Sequence, residues 1–207
     1  MTPIYHITHI RNLSNIIQDG GLWCDQVVME RKLAYVSIAH QHIKERRAQK
    51  QVPCAPGGTL ADYVPFYFAP RSPMLYVIQR GDVQGYTEGQ RPILHLVSSA
   101  EAVRAAGIPF AFTDGHAEMD ISRFFTDLRD LTEIDWNIMQ ATIWRDTLQD
   151  GDRKRRRQAE FLAHQFFPLT LVDKIGVYNL KVAQQVMALF AASSHKPTII
   201  AEPAWYY

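Results

Sequence analysis

The chain has 207 residues, of which 47% are hydrophobic and 21% are charged, and its formal net charge is +1. This composition is typical of a one-domain soluble protein, and a net charge near zero excludes a uniformly basic surface for nucleic acid. Two cysteines exclude a disulfide framework and suit a reducing cytoplasm, and the sequence shows neither a signal-peptide pattern nor an apolar run long enough to span a membrane.

Residues 4–10 (I-Y-H-I-T-H-I) alternate apolar and polar side chains. This period predicts a strand with His6 and Thr8 on one face. A short helix is predicted over 13–18, capped by a polar side chain and ended by two glycines. A lone histidine in a strand is more often structural than functional. Here the Thr8 hydroxyl and Asn12 follow His6 closely, so polar groups gather at one end of the strand.

The pattern turns helical from residue 27 to residue 51 and ends in a basic stretch, K-E-R-R-A-Q-K-Q. Such a run is usually a solvated helix face. Arg46 and Arg47 are its central cations, and the sequence does not choose between them. Residues 53–58 (P-C-A-P-G-G) have the composition of a loop.

In residues 63–68, Val64, Phe66 and Phe68 alternate with Tyr63, Pro65 and Tyr67, which predicts a half-buried strand. Pro70 and Pro73 interrupt it, and an apolar run resumes afterwards, so Tyr67 and Tyr76 are predicted around one bend. Two aromatic faces suit a slot for a planar ligand. Core packing is the alternative for such an aromatic stripe.

The middle of the chain predicts a buried strand over 93–97, a helix over 99–106 and a strand over 110–113. His116 lies close to two acidic residues, but no second ligand pair appears at helical spacing. We therefore expect no metal site.

A helix is predicted over 122–140, followed by Trp144 and then by the basic run 153–157 (R-K-R-R-R). Consecutive cations repel one another and are usually disordered or paired with phosphates. Glu160 comes directly after this run and opens an apolar segment, where a charged side chain is costly without a partner or a task. A surface or capping role is the alternative for this glutamate.

The C-terminal part predicts a strand over 169–178, an amphipathic helix over 181–192 and a closing strand over 198–201. The last residues, A-W-Y-Y, are aromatic enough to pack against the protein.

Three stretches together resemble a known family. H-I-T-x-x-x-N-L-x-x-I-I-x-x-G-G-L, from residue 6, is similar to the first motif of NAD-dependent ADP-ribosyltransferases, and F-Y-F-A-P-R-S-P-M-L-Y, from residue 66, is similar to their second. Q-A-E-x-L, from residue 158, resembles the segment that carries their catalytic glutamate. The more specific resemblance is to the DarT toxins, which modify DNA.

The resemblance implies an α+β ADP-ribosyltransferase fold, with split antiparallel β-sheets around an NAD cleft and peripheral helices, in one domain over 1–207. Within it, 27–58 corresponds to an NAD-binding insertion and 115–160 to a region that recognises the acceptor. The implied catalytic residues are Glu160 and either Arg46 or Arg47. A basic residue at position 51 would also suit the family, but this chain has Gln51 there.

The implied ligand contacts form two sets. NAD contacts are expected at His6, Ile7, Thr8, Asn12, Asn15, Tyr67 and Tyr76. DNA contacts are expected at Trp144, Arg145, Arg153, Lys154, Arg155, Arg156 and Arg157, because cations and aromatic rings together suit single strands.

The function implied is that of a cytoplasmic toxin. It transfers ADP-ribose from NAD to thymidine in single-stranded DNA, in a sequence-dependent manner and without a metal. We expect a monomer and a separate macrodomain antitoxin of the DarG kind. The alternatives are an enzyme like the NAD-dependent RNA 2′-phosphotransferases and a non-enzymatic module that binds single-stranded nucleic acid.

Overall fold

Ten strands form an eight-stranded and a two-stranded sheet in the computed structural model, which describes residues 1–207. The strands are β1 Pro3–His9, β2 Gly21–Trp23, β3 Tyr63–Tyr67, β4 Ile93–Ser99, β5 Phe110–Thr113, β6 Phe124–Phe125, β7 Glu160–His164, β8 Phe166–Pro168, β9 Lys174–Val177 and β10 Thr198–Ala201. The α-helices are α1 Leu13–Gln18, α2 Asp25–Glu30, α3 Gln41–Gln49, α4 Pro73–Arg80, α5 Ala100–Ala105, α6 Trp136–Gln140, α7 Arg153–Arg157 and α8 Leu180–Leu189. None of these helices combines the length and the apolar character needed to cross a bilayer.

The large sheet has the order β10-β9-β4-β1-β3-β7-β5-β6 and is antiparallel except for the pair β9 and β10. All seven residues of β1 are in register with β4, whereas β1 meets β3 at the single pair Tyr5 and Tyr67. The sheet therefore divides into two halves between these central strands. This division confirms the predicted split architecture.

The strands predicted from alternating or continuous apolar residues are present where the sequence placed them. β4 and β5 are buried along their whole length, because the sheet is covered on both faces. Side chains from both halves of the sheet share a core of 30 buried residues, with Phe66, Phe112 and Phe161 fully buried.

The stretch after Pro70 is a helix and does not return as an extended segment. Ser72 accepts a hydrogen bond from the backbone N–H of Leu75, and Pro73 occupies the first helical position. Both are strong helix-start signals. Gly81 ends α4 with φ 75°, a conformation that glycine adopts without strain.

The predicted helix over 27–51 is wrong in its middle. α2 ends at Glu30 and α3 begins at Gln41, and an extended loop joins them. α3 has no buried residue, so its sequence carries no packing stripe. The apolar spacing between the helices instead marks loop side chains that line a cavity, described below.

The predicted helix over 122–140 is also wrong. The segment forms β6, a 3-10 helix over Leu128–Glu133 and α6. Asp127 caps the 3-10 helix and Asp135 caps α6, through side-chain oxygens that accept backbone N–H groups. These two caps start separate short elements, and each element contributes apolar residues to the core.

The C-terminal elements match the prediction except that the strand over 169–178 is shorter. A 3-10 helix over Leu169–Leu171 precedes β9, and α8 and β10 follow. The terminal aromatic residues pack as expected, since Tyr206 is buried and its hydroxyl donates to the carbonyl of Ile93 at 2.7 Å.

Stability is expected to fall as the pH drops from about 6.5 toward 4, because His95 is buried in the neutral form. Its side chain is fully buried, and its Nε2 lies 3.0 Å from the carbonyl oxygen of Pro70. Burial lowers the pKa of His95 from 6.5 to about 4, so the unfolded chain binds the proton first. Up to roughly 3 kcal/mol of the free energy of unfolding is lost across this window.

Urea unfolding of native protein and His95→Gln at pH 7 and pH 5 measures this contribution. The variant should show a flatter pH dependence. His6, His9 and His164, whose pKa values are also lowered by burial, add a slope of the same sign in both proteins. Equal slopes would contradict the assignment to His95.

Candidate active site

A cavity of about 390 Å³ lies at the split of the sheet, with lining residues from β1, β3 and β7. Its volume falls in the usual range for small-molecule sites. Six of the predicted NAD-binding residues line it: His6, Ile7, Thr8, Asn12, Asn15 and Tyr67. The cavity also takes in Arg47 and Glu160, so the first motif, the second motif and the acidic motif meet in one place.

Glu160 and Arg47 form a buried ion pair in the cavity wall. Arg47 Nη1 lies 2.8 Å from Glu160 Oε2, and Ala117 donates its backbone N–H to Oε1 at 3.2 Å. Both carboxylate oxygens are therefore fixed. Burial disfavours the charged guanidinium, but the adjacent carboxylate outweighs it and raises the pKa of Arg47. Arg47 Nη2 is buried without a hydrogen-bond partner, which leaves one donor for a ligand.

Tyr67 lies directly opposite Glu160 in the β3–β7 register. Directly opposed residues project from the same face of a sheet, so the phenol and the carboxylate are neighbours. Burial, and then the charge of Glu160, raises the pKa of Tyr67 well above its usual range. The ring is therefore a neutral, flat wall beside a fixed negative charge.

His6 on β1 faces the same cavity as a neutral imidazole. Its Nδ1 lies 2.8 Å from the carbonyl oxygen of Pro65, which can only accept, so Nδ1 carries the proton. Burial lowers the pKa of His6 and keeps the ring uncharged at neutral pH. Nε2 is thereby left as a hydrogen-bond acceptor.

Asn12 holds the loop over residues 31–40, whose inner side chains form one wall of the cavity. Its side chain accepts from Val36 N–H at 2.7 Å and donates to Val36 C=O at 3.0 Å and to Thr8 Oγ1 at 3.1 Å. Asn15 donates to Ala34 C=O at 2.6 Å. Both predicted NAD ligands therefore bind protein backbone. Since Thr8 accepts from Asn12, its own hydroxyl proton is left for a ligand.

Replacement Asn12→Ala is expected to raise the KM for NAD about tenfold, with a smaller change in kcat, because the loop loses both backbone bonds at Val36. The free energy of unfolding should fall by about 1 to 3 kcal/mol, the cost of unpaired buried polar groups. Steady-state rates at varied NAD and urea unfolding measure the two effects. Asn15→Ala is the control with a smaller expected effect, since Asn15 is exposed and makes one bond. An unchanged KM for NAD in Asn12→Ala would contradict the anchoring role.

Comparison with known proteins agrees with this geometry. The family model described as DarT, ssDNA thymidine ADP-ribosyltransferase, matches residues 5–207. The chain belongs to the DarT family. It is 45% identical over 208 residues to a DNA ADP-ribosyl transferase of Thermus sp. (strain 2.9), covering 100% of this chain and 96% of the relative.

Solved structures of the Thermus sp. 2.9 DarT are also similar. Its complex with ADP-ribosylated ssDNA has a TM-score of 0.93 at 44% identity, covering 100% of this chain and 96% of that one. Its complex with NAD+ has a TM-score of 0.89 at 42% identity, covering 100% of this chain and 98% of that one. The DarT-family protein is an NAD-dependent ADP-ribosyltransferase that acts on thymidine in single-stranded DNA. The 2′-phosphotransferase and non-enzymatic alternatives are therefore wrong.

The two candidate arginines of this DarT-family protein lie in different places. Arg47 lines the cavity, whereas Arg46 is exposed and pairs with Glu118 at 2.9 Å on the rim of a neighbouring depression. Gln51 is exposed and forms a β-bridge with Thr59 outside the cavity. The structure thus brings Arg47, and neither Arg46 nor the residue at position 51, to Glu160.

Tyr76 does not line the cavity that Tyr67 lines, and its contact with NAD stays a prediction. α4 turns its ring outward, where it lies 5.8 Å from Trp144 and 5.1 Å from Tyr207 between ring centroids. The reason is the helical geometry of α4, which points Pro73, Met74 and Val77 at the cavity.

The basic run 153–157 forms α7, and three of its arginines have partners within the protein, so DNA contact by them stays a prediction. Arg155 pairs with Asp114 at 3.0 Å and with Asp152 at 2.7 Å. Arg156 pairs with Asp135 and Asp150. The buried Arg157 donates to the carbonyls of Ile138, Met139 and Arg71. Asp114 and Asp135, which are distant in sequence, and the nearby Asp150 and Asp152 balance the charges of Arg155 and Arg156.

The remaining cations of the predicted DNA surface are more open. Lys154 pairs loosely with Asp146 at 3.6 Å and is 59% exposed, and Arg145 is exposed. Arg153 donates to the carbonyls of Ile143 and Arg145. DNA contact by these three residues stays a prediction.

Many of the polar residues that line the cavity were not predicted from the sequence, among them His116 and Gln158. His116 lines both the cavity and the neighbouring depression, and Gln158 precedes Glu160 by two residues. Gln158 is the C-cap residue of α7 and lies just before β7, so no period of a strand or helix could have indicated it. His116 was considered only as a metal ligand, and no group of three or more His, Cys, Asp or Glu side chains converges here.

Proposed function

We propose that the Arg47–Glu160 pair is the catalytic centre of ADP-ribose transfer in this protein. The observation that supports it is the position of Glu160: a buried carboxylate, held at both oxygens, on the wall of the cavity that His6 and Tyr67 share. A fixed negative charge in a water-poor site stabilises positive charge that develops in a reaction.

Cleavage of a nicotinamide–ribose bond places such a charge on the ribose, as in glycoside hydrolysis. Glu160 accepts a hydrogen bond from a ribose hydroxyl and stabilises this charge. Tyr67 lies beside it and packs a ring face against the nicotinamide. His6 Nε2 accepts, and the Thr8 hydroxyl donates, to hold the nicotinamide ribose and amide. Nicotinamide is then released.

The acceptor on thymine is a ring nitrogen that carries a proton at neutral pH. Glu160 takes that proton as the nitrogen attacks, and Arg47 stabilises the negative charge that develops on the base. The unpartnered Nη2 of Arg47 supplies a donor for this role. One ion pair thus serves both the donor sugar and the acceptor base.

We assign NAD binding to the insertion 27–58, which contributes Arg47 and the anchored loop. We assign binding of the acceptor DNA to the region 115–160. His116 supports the second assignment, because it lies between the cavity and the depression lined by Arg46 and Lys50. A strand entering through this depression reaches Glu160. Preference for a short sequence context follows from contacts in the same region.

The biological role we propose is that of a cytoplasmic toxin that acts as a monomer. The DarT family membership supports a partner antitoxin of the DarG macrodomain kind, on a separate chain.

Incubation with labelled NAD and a single-stranded oligonucleotide that contains thymidine tests the proposal. Label is expected on the DNA, in an amount equal to the nicotinamide released. An oligonucleotide of the same sequence with N3-methylthymidine, which lacks the reacting proton, is expected to remain unlabelled. Label on the methylated strand would overturn attack by that nitrogen, and label on RNA alone would overturn the substrate.

A further inference from the structure

We propose that Tyr76, Trp144 and Tyr207 form an aromatic platform on which an unstacked base, next to the target thymidine in the DNA strand, stacks. This inference rests on the proposed function and adds a second binding subsite to it. The platform takes one kind of ligand, a nucleobase of single-stranded DNA, and it lies outside the cavity that holds the reacting groups.

The three rings form a continuous row. Trp144 and Tyr76 meet edge-on at 5.8 Å and 86°, and Tyr76 and Tyr207 meet at 5.1 Å and 67°. Each edge-on contact covers at most one ring face, and Tyr76 keeps 40% of its surface exposed. Trp144 and Tyr207 are half-buried and pack against the hydrophobic clusters of the protein, so the row is held in place while Tyr76 is open to a ligand. Every base presents a flat face to such rings.

Two cations lie beside the rings. The guanidinium of Arg71 lies 4.4 Å above the Tyr207 ring, and its Nε is buried without a hydrogen-bond partner. Arg145 is exposed next to Trp144. Rings for bases and cations for phosphates are the two components of single-strand recognition.

Side chains of α7 hold the segments that carry the rings. Arg153 donates to the carbonyls of Ile143 and Arg145, on either side of Trp144, at 2.8 and 3.1 Å. Arg157 donates to the carbonyl of Arg71 at 2.8 Å, just before the helix that carries Tyr76. Arg153 and Arg157 therefore position the loop and the helix that carry the rings.

The platform adjoins the reacting groups. Tyr207 packs in the same hydrophobic cluster as Tyr67, the ring that lines the cavity. The Tyr207 hydroxyl donates to the carbonyl of Arg71 at 3.0 Å, which fixes this ring at the start of α4. A base on the platform thus belongs to a nucleotide close to the one that reacts.

An abasic scan tests the platform. The substrate is a single-stranded oligonucleotide that the native protein modifies at a known thymidine, with one flanking nucleotide at a time replaced by an abasic residue. For native protein, one position near the target should lower kcat/KM about tenfold, the typical value of one stacked base. In Trp144→Leu and Tyr76→Leu this penalty should disappear, whereas Trp144→Phe should restore it.

Each comparison is made within one variant, so a general loss of activity cancels. Leu148→Ala is the matched control, because Leu148 lies in the same loop, is fully exposed and has no ring; it should keep the native penalty. An equal penalty in native protein and both leucine variants, or none at any position in native protein, would overturn the platform. Absence of any DNA labelling by native protein would overturn the proposed function instead, and the platform with it.

Discussion

Replacement Glu160→Gln is expected to lower kcat for ADP-ribose transfer by about a hundredfold to a thousandfold, the usual cost of removing one charge-stabilising group from an active site. Glutamine keeps the shape of the side chain and can still accept the Ala117 N–H. It removes the negative charge that stabilises the ribose and the base that accepts the thymine proton. Single-turnover rates with labelled NAD and an oligonucleotide measure the loss.

Because His6, Thr8 and Tyr67 remain in place, NAD binding measured by calorimetry should change little. Asp120→Asn is the matched control: Asp120 pairs with Lys50 at the surface, is 99% exposed and should retain native activity. A Glu160→Gln protein that is folded and transfers ADP-ribose at the native rate would refute the catalytic assignment.

Replacement Arg47→Met should lower both stability and activity. The change leaves Glu160 buried without its cation, and breaking a buried ion pair on one side costs about 3 to 5 kcal/mol of the free energy of unfolding. The rate should fall about a hundredfold, since the developing charge on the base loses its donor. Urea unfolding and initial rates measure the two effects.

Arg46→Met is the control, as Arg46 neighbours Arg47 in sequence but pairs with Glu118 outside the cavity and is 60% exposed. It should cost about 1 kcal/mol or less. The double variant Arg47→Met/Glu160→Gln should recover most of the stability of Arg47→Met and none of its activity. If the two single arginine variants behaved alike, the distinction that the structure draws between them would be wrong.

The sequence was sufficient for the elements whose apolar residues keep a regular period. β1, β3 and β4 were predicted because the alternating or continuous apolar residues of each strand are visible in the local sequence. The position of Glu160 followed for the same reason, since a charge that opens an apolar strand is conspicuous. These elements supply the cavity wall.

The sequence failed where a distant partner decides the structure. The apolar residues between α2 and α3 resemble a helix face, but they line a cavity built from β1 and β7. The arginines of α7 resemble a phosphate-binding run, but carboxylates such as Asp114 and Asp135 lie against them. Arg46 and Arg47 are equivalent in sequence, and only the approach of Glu160 separates them.

β1 and β3 share the single register pair Tyr5 and Tyr67, so this is the least-bonded junction within the large sheet. A ligand that touches both His6 on β1 and Glu160 on β7 spans this seam. At about a hundred times its Kd, such a ligand adds about 2.7 kcal/mol to the free energy of unfolding by mass action. If NAD binds across this junction as we propose, it stabilises the fold as well as serving as substrate, and we expect the highest melting temperature in the NAD-bound enzyme.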